Sequence, residues 1–210
     1  MTSIIDYGVG NLFSLKSSFA AIGEEAAISS DPAQIKSADR IILPGVGAFA
    51  DAAAKLGAAG LDRTVREAAE EGTPIMGICL GMQLLFEKSY EYGEHAGLCL
   101  IPGAVRPISD VICAGLKIPH IGWNALDIKR ESEIFKYIKN GDHVYFVHSF
   151  YAAQCEDAVI ADTEYGAPLT AAVQRGNVYG CQFHPEKSGD VGLRILRAFC
   201  EIGRTGLLRR

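Results

Sequence analysis

Apolar and polar positions fall into two regimes along this chain, short apolar blocks between helix-length segments first and strand-like runs separated by turns afterwards. Residues 3–6 read as a strand that ends in Tyr7-Gly8-Val9-Gly10, and the spacing predicts a helix from about residue 11 to residue 22. Blocks at 26–29 and 40–43 predict two further strands. Residues 61–71 have helical spacing, with Leu61, Val65 and Ala68 on one face and Gly72 as a stop. A strand over 74–78 then runs into a helical segment over 80–87. Buried strands alternating with helices predict a mainly parallel sheet covered on both faces.

Beyond residue 90 the pattern predicts strands at 104–108, 116–119, 125–129, 144–151, 169–174 and 178–183, with some antiparallel pairing. An amphipathic helix over 192–202 closes the chain. No linker-like stretch, repeat or low-complexity tract interrupts it, so residues 1–210 read as one domain.

Composition narrows the function classes. About half the residues are apolar, enough for a core that needs neither disulfides nor metals. A net charge of −5 argues against nucleic acid as a partner. There is no membrane-length apolar run and no signal-peptide pattern at the start, so a soluble cytoplasmic protein is expected. The six cysteines are scattered with no Cys-x-x-Cys pair, which argues against a metal site; all but Cys79 read as small buried hydrophobes.

Cys79 differs by context. Gly77-Ile78-Cys79-Leu80-Gly81 lies where a buried strand turns into a helix, in the Gly-x-nucleophile-x-Gly form of a nucleophile elbow. Such a turn projects the sulfur at a helix N-terminus, where thiolate is favoured over thiol, and places the Leu80 N–H to donate to an oxyanion. A thiolate also needs an imidazole that later protonates the leaving amine, and the imidazole needs an acceptor to orient it. Phe183-His184-Pro185-Glu186 supplies both, because residues two apart in an extended segment point to the same side. Ile42-Leu43-Pro44-Gly45-Val46-Gly47 is a strand breaking into a glycine-rich loop whose backbone N–H groups can approach a ligand. These residues together say acyl transfer by a thiol.

In order and spacing, the three elements resemble the class-I, triad-type glutamine amidotransferases. The resemblance implies a three-layer α/β/α fold with a mixed, mainly parallel central sheet. It also implies hydrolysis of the glutamine side-chain amide through a γ-glutamyl thioester on Cys79, with ammonia passed to a synthase site and no cofactor. Asp6-Tyr7-Gly8-Val9-Gly10-Asn11, Pro119-His120-Ile121-Gly122-Trp123-Asn124, Val147-His148-Ser149 and the extension Lys187-Ser188 are similar to the branch serving histidine biosynthesis. That branch implies a separate (β/α)8-barrel cyclase subunit as partner. Carried over by position, Gln83 and Glu91 hold the amino-acid end of glutamine, while Val46, Gly47, Leu80 and Ser149 line the oxyanion and substrate pocket. Asn11, Trp123, Asn124 and Tyr145 become the partner face. On general grounds the single Trp fits a core as well as an interface. Rival readings are an amidotransferase subunit of another pathway, a non-catalytic relative, and a cysteine peptidase on the same scaffold; the last would cleave peptides rather than glutamine.

Overall fold

The computed structural model describes residues 1–203; the last seven residues of the single-domain reading lie outside the described residues. The first half runs β1 (Thr2–Ile5), α1 (Leu12–Ala21), β2 (Ala26–Ser29), α2 (Pro32–Ser37), β3 (Arg40–Leu43), α3 (Phe49–Ala58), α4 (Leu61–Glu70), β4 (Ile75–Ile78) and α5 (Leu80–Leu84). After it come β5 (Phe86–Ser89), β6 (His95–Ala96), β7 (Ile101–Pro107), β8 (His120–Ala125), β9 (Asp127–Ile128), β10 (His143–His148) and β11 (Phe150–Ala153). The chain continues through β12 (Val159–Glu164), β13 (Pro168–Arg175) and β14 (Val178–Cys181) to α6 (Gly189–Cys200).

Eight strands form the central sheet in the order β2-β1-β3-β4-β14-β13-β12-β9. Pairing is parallel from β2 to β14 and antiparallel beyond it. Alternation along each strand builds the layers. Ile5, Ile41, Leu43 and Ile75 pack on one face with Ile35, Leu56 and Val65 of α2, α3 and α4. Ile4, Ile42, Met76 and Ile78 pack on the other with Leu15 and Phe19 of α1 and Ile195, Leu196 and Phe199 of α6. This is the three-layer α/β/α arrangement with a mixed sheet. Two smaller sheets flank it: the ribbon β10-β8 and the four-stranded β11-β7-β5-β6. Among the described residues no helix is long and apolar enough to cross a membrane.

Several expected elements are corrected. The helix expected over 80–87 ends at Leu84, because the N–H groups of Leu98, Leu100 and Ile101 take the Leu84 and Leu85 carbonyls and Phe86 begins a strand. Residues 116–119 are not a strand: Leu116 and Ile118 are exposed, and pairing begins at His120. The run 144–151 divides near Ser149 between β10 and β11, which join different sheets. Of residues 125–129 only Asp127–Ile128 pair as a separate strand, at the sheet edge. Helices α2 and α3 and strands β5, β6 and β12 come in addition to the predicted elements. Asp31 caps α2 through its side chain, with Pro32 at the first helical position. Helix α3 has no side-chain cap of its own; its Phe49 N–H donates to Glu91 Oε2 at 2.6 Å, from a residue 42 positions away.

Candidate active site

The site lies at the carboxyl edge of the parallel strands, where loops following β1, β3, β4 and β14 converge. Cys79 stands between β4 and α5 with φ +55° and ψ −113°, a backbone conformation that L side chains rarely adopt, and its N–H is held by the Cys181 carbonyl at 2.7 Å. The turn is possible because its flanks are glycine. A Cβ on Gly81 would stand 1.9 Å from the Leu43 carbonyl oxygen, and one on Gly45 would stand 2.7 Å from the Gly81 nitrogen. Elbow and glycine-rich loop are therefore packed backbone against backbone. From the other side the buried Tyr7 hydroxyl donates to the Pro44 carbonyl at 2.6 Å and fixes where that loop begins. Helix α5 has only five residues, so the helix dipole expected at Cys79 is that of little more than one turn.

His184 and Glu186 do meet, but not along an extended segment. Only His184 is extended; Pro185–Lys187 form a 3-10 turn, with Pro185 at its first position, which brings Glu186 round to the imidazole. The His184 Nδ1–H donates to Glu186 Oε1 at 2.8 Å, and both side chains are buried. The imidazole is 2 % exposed and shares the cleft with Cys79, near enough for the two groups to interact electrostatically. Burial alone would lower its pKa; the bonds and negative charge of Cys79 and Glu186 outweigh this and push it up to about 9. Its backbone is held as well, His184 N–H donating to the Tyr145 carbonyl at 3.0 Å and Ser188 Oγ to the His184 carbonyl at 2.6 Å. The imidazole is thus kept cationic beside the sulfur and fixed in orientation, as an ion-paired nucleophile requires.

Val46, Gly47, Leu80, Gln83, Glu91 and Ser149 line one cleft of about 440 Å³ with Cys79 and His184. Glu186 lies behind His184, outside the lining. Gln83 gives both N–H bonds of its amide inward, to the Phe150 carbonyl at 3.2 Å and to Gln182 Oε1 at 3.0 Å. Its own oxygen is left to accept from a ligand. Glu91 caps α3 with one oxygen while standing in the cleft wall. A larger groove of about 830 Å³ between Ile128 and Gln174 contains no cysteine or histidine, so thiol chemistry belongs to the smaller one. Tyr7, Tyr92, Gln182 and Lys187 at or near the site were not singled out from sequence. Gln182 carried a signal, a polar residue in an otherwise apolar strand run.

The remaining cysteines divide by burial. Burial raises the Cys155 thiol to about 12 and the Cys200 thiol to about 11, and also raises Cys181, so these three stay protonated. Cys99 and Cys113 are exposed rather than buried as expected.

Of the residues assigned to a partner face, Trp123 is 53 % exposed and sits opposite Tyr145 across the ribbon, with ring centroids 6.0 Å apart. Asn124 instead points its amide inward, contacting His120 Nε2 at 2.9 Å and donating to the Glu164 carbonyl at 3.0 Å. Asn11 caps α1, accepting from Ser14 N–H at 3.3 Å. Under the ribbon, His120 meets His148 at 3.0 Å between their ring nitrogens, and His148 Nδ1–H donates to the Phe150 carbonyl at 2.8 Å.

Comparison with known proteins agrees with this geometry. The family model described as glutamine amidotransferase class-I matches residues 3–201. Imidazole glycerol phosphate synthase subunit HisH of Wolinella succinogenes is 49% identical over 205 residues, covering 97% of this chain and 100% of that protein. The chain belongs to the HisH family of class-I glutamine amidotransferases. The HisH subunit of Caldanaerobacter subterraneus subsp. tengcongensis is likewise 49% identical, over 96% of this chain and 98% of its own length. Among solved structures, a glutamine amidotransferase superimposes with a TM-score of 0.73 at 20% identity, covering 95% of this chain and 97% of its own. PurLQS of Thermotoga maritima gives a TM-score of 0.71 at 20% identity, covering 95% and 96%. These distant structures share the amidotransferase fold.

Proposed function

We propose that the chain is the glutaminase subunit of an imidazole glycerol phosphate synthase. In this reading it works in the cytoplasm as a heterodimer with a (β/α)8-barrel cyclase and supplies that partner with ammonia for histidine biosynthesis. One observation carries the chemistry: Cys79 and His184 line the same cleft, and the imidazole is hydrogen-bonded to the buried Glu186 behind it at 2.8 Å. The Cys79 thiolate attacks the side-chain amide carbon of glutamine. The oxyanion that forms is met by the Leu80 N–H and by the loop at Val46 and Gly47. His184 gives its proton to the departing ammonia, leaving a γ-glutamyl thioester. Water, activated by the now neutral His184, attacks the thioester and releases glutamate. Gln83, Glu91 and Ser149 hold the amino-acid end of glutamine. The names of the HisH relatives support the synthase assignment. So does the ribbon, which borders the cleft at Val147 and exposes Ile121 and Trp123 beside it.

The experiment is a glutaminase assay with and without the cyclase and its nucleotide. Wild-type chain should release glutamate, and Cys79→Ala should release none while still binding the cyclase. The cyclase alone, given an ammonium salt, should form imidazole glycerol phosphate. Glutamine hydrolysis that survives in Cys79→Ala would sink the mechanism; a folded cyclase inert at high ammonium would sink the division of labour.

A further inference from the structure

Besides the imidazole, a second polar side chain reaches the sulfur. Gln182, with no exposed surface, places its Nε2 at 3.8 Å from Cys79 Sγ and its Oε1 at 3.0 Å from Gln83 Nε2. Amide nitrogen and oxygen are similar in shape, so their neighbours fix which atom faces where. Gln83 decides it. One end of its amide faces the Phe150 carbonyl at 3.2 Å, and a carbonyl only accepts, so that end is Nε2. The same nitrogen faces Gln182, which must present its oxygen there. The Gln182 N–H groups are thereby turned toward Cys79. A backbone carbonyl thus orients two amides in series, and the series ends on the sulfur.

We infer that Gln182 is a second hydrogen-bond donor to the Cys79 thiolate, oriented through Gln83 by the Phe150 carbonyl. A buried thiolate lacks water, and each N–H that donates to it favours the charged form over the neutral thiol. His184 leaves the sulfur when it delivers its proton to ammonia; Gln182 cannot ionise and keeps donating through the cycle. When the thiolate is the leaving group in thioester hydrolysis, the amide N–H is already in place to receive its charge. The thiol form has a different neighbour, the Val147 carbonyl at 4.0 Å, which can only accept. The series also passes through the substrate pocket, since Gln83 lines the cleft. A glutamine substrate that engages the free Gln83 oxygen therefore bears on the donor that faces the nucleophile.

The titratable groups around Cys79 are His184 and Glu186 after β14, Tyr7 after β1, His148 at the end of β10, and Glu91, Tyr92 and Lys187 in the cleft wall. The test must therefore change Gln182 without changing any of them. Gln182→Met removes the donor. Gln182→Glu keeps an oxygen for Gln83 Nε2 but sets an acceptor, and a negative charge when ionised, where the donor was. Iodoacetamide alkylation of Cys79 serves as the readout, followed by mass spectrometry of its peptide, because this displacement forms no oxyanion and needs no glutamine. Rates are compared at about pH 6 and about pH 9.5, so that a donor favouring the thiolate over the thiol shows as a change in their ratio.

The expected result is a ratio of the two rates that falls about tenfold in Gln182→Met and further in Gln182→Glu, one pH unit of displacement being a factor of ten. A purely structural role would lower the melting temperature and leave the ratio alone. An unchanged ratio in both folded variants overturns the inference. It rests on Cys79 being the nucleophile, and that reading fails separately, through glutamine hydrolysis in Cys79→Ala.

Discussion

The two walls of the cleft are built on different principles. On one side, the parallel strands β3 and β4 place the loop at Gly45 and the elbow at Cys79 by direct backbone contact, with no side chain between Gly45, Gly81 and Leu43. On the other, the ribbon of β8 and β10 is set by side chains. His120 stacks between Phe146 and Tyr165, with centroids at 5.0 and 4.0 Å, and bonds to His148. A wall made of backbone has no rotamers to adjust and tolerates no added atom. A wall made of rings and hydrogen bonds can be altered piecemeal, and its alterations register as changes in ionisation and surface rather than loss of fold.

The largest effect that sharpens this contrast should come from Gly81→Ala. The new methyl would meet the Leu43 carbonyl oxygen at 1.9 Å, and backbone on both sides prevents relief. A loss of about 4 kcal/mol or more is expected, read as failure to recover folded protein or a collapse of the melting temperature. A variant that melts like the wild type would remove the distinction between the walls.

Trp123→Ala, on the outer surface of the ribbon, should do the opposite. With more than half of the residue exposed, its loss should leave the melting temperature of the free chain within about 2 °C of wild type. Binding to the cyclase should weaken by about 2 kcal/mol, measured by titration calorimetry, as for an aromatic interface anchor. A sharp loss of stability in the free chain would make Trp123 part of the ribbon's own core.

The smallest effects lie in pH dependence, where His184 and the ribbon histidines should act at opposite ends. His184 has a folded pKa raised from 6.5 to about 9, so the folded state binds more protons than the unfolded one between those values. Its contribution is complete below 6.5 and is lost as pH rises through about 9. Burial lowers His148 from 6.5 to about 4 and also lowers His120. The His148 contribution is complete above 6.5 and is lost as pH falls through about 4. Melting curves across this range should show Glu186→Gln starting its alkaline decline about one pH unit earlier than wild type. His148→Gln should flatten the acid limb and leave the alkaline limb alone. Coincident limbs in all three proteins would mean that neither histidine is coupled to folding as described.

The same division explains what could be read from sequence. The elbow, the His-Pro-Glu segment and the glycine-rich loop are each local, written in three to six consecutive residues whose geometry follows from strand, turn and proline rules. The parallel core was legible for the same reason, since each buried strand is a short apolar block. Apart from the short helix α2, whose Asp31-Pro32 start is local, what escaped depends on distant partners. Helix α3 has no starting signal near Phe49 because its capping group is Glu91. Residues 144–151 look like one strand because nothing near Ser149 announces that the two halves pair with β8 and β7. Tyr7 read as the end of a strand, and its role emerges only once Pro44 lies 37 positions away in sequence and 2.6 Å away in space. The amide of Asn124 is committed to His120 and the Glu164 carbonyl, contacts that no spacing rule carries.

The register of the ribbon has a consequence for how such a protein can diversify. His120 pairs with His148, and Trp123 with Tyr145, so the two-residue repeat sends one set of side chains inward and the other outward. Ile121, Trp123 and Tyr145 form one alphabet, His120, Phe146 and His148 another, interleaved along the same two strands. Substitutions in the first can rewrite the surface offered to a neighbour while the second keeps its wording. A single inserted or deleted residue in β8 exchanges the two, turning the indole into the core and a histidine out to solvent. Point replacement at an outer position therefore changes only the surface, whereas a change of strand length changes surface and interior together.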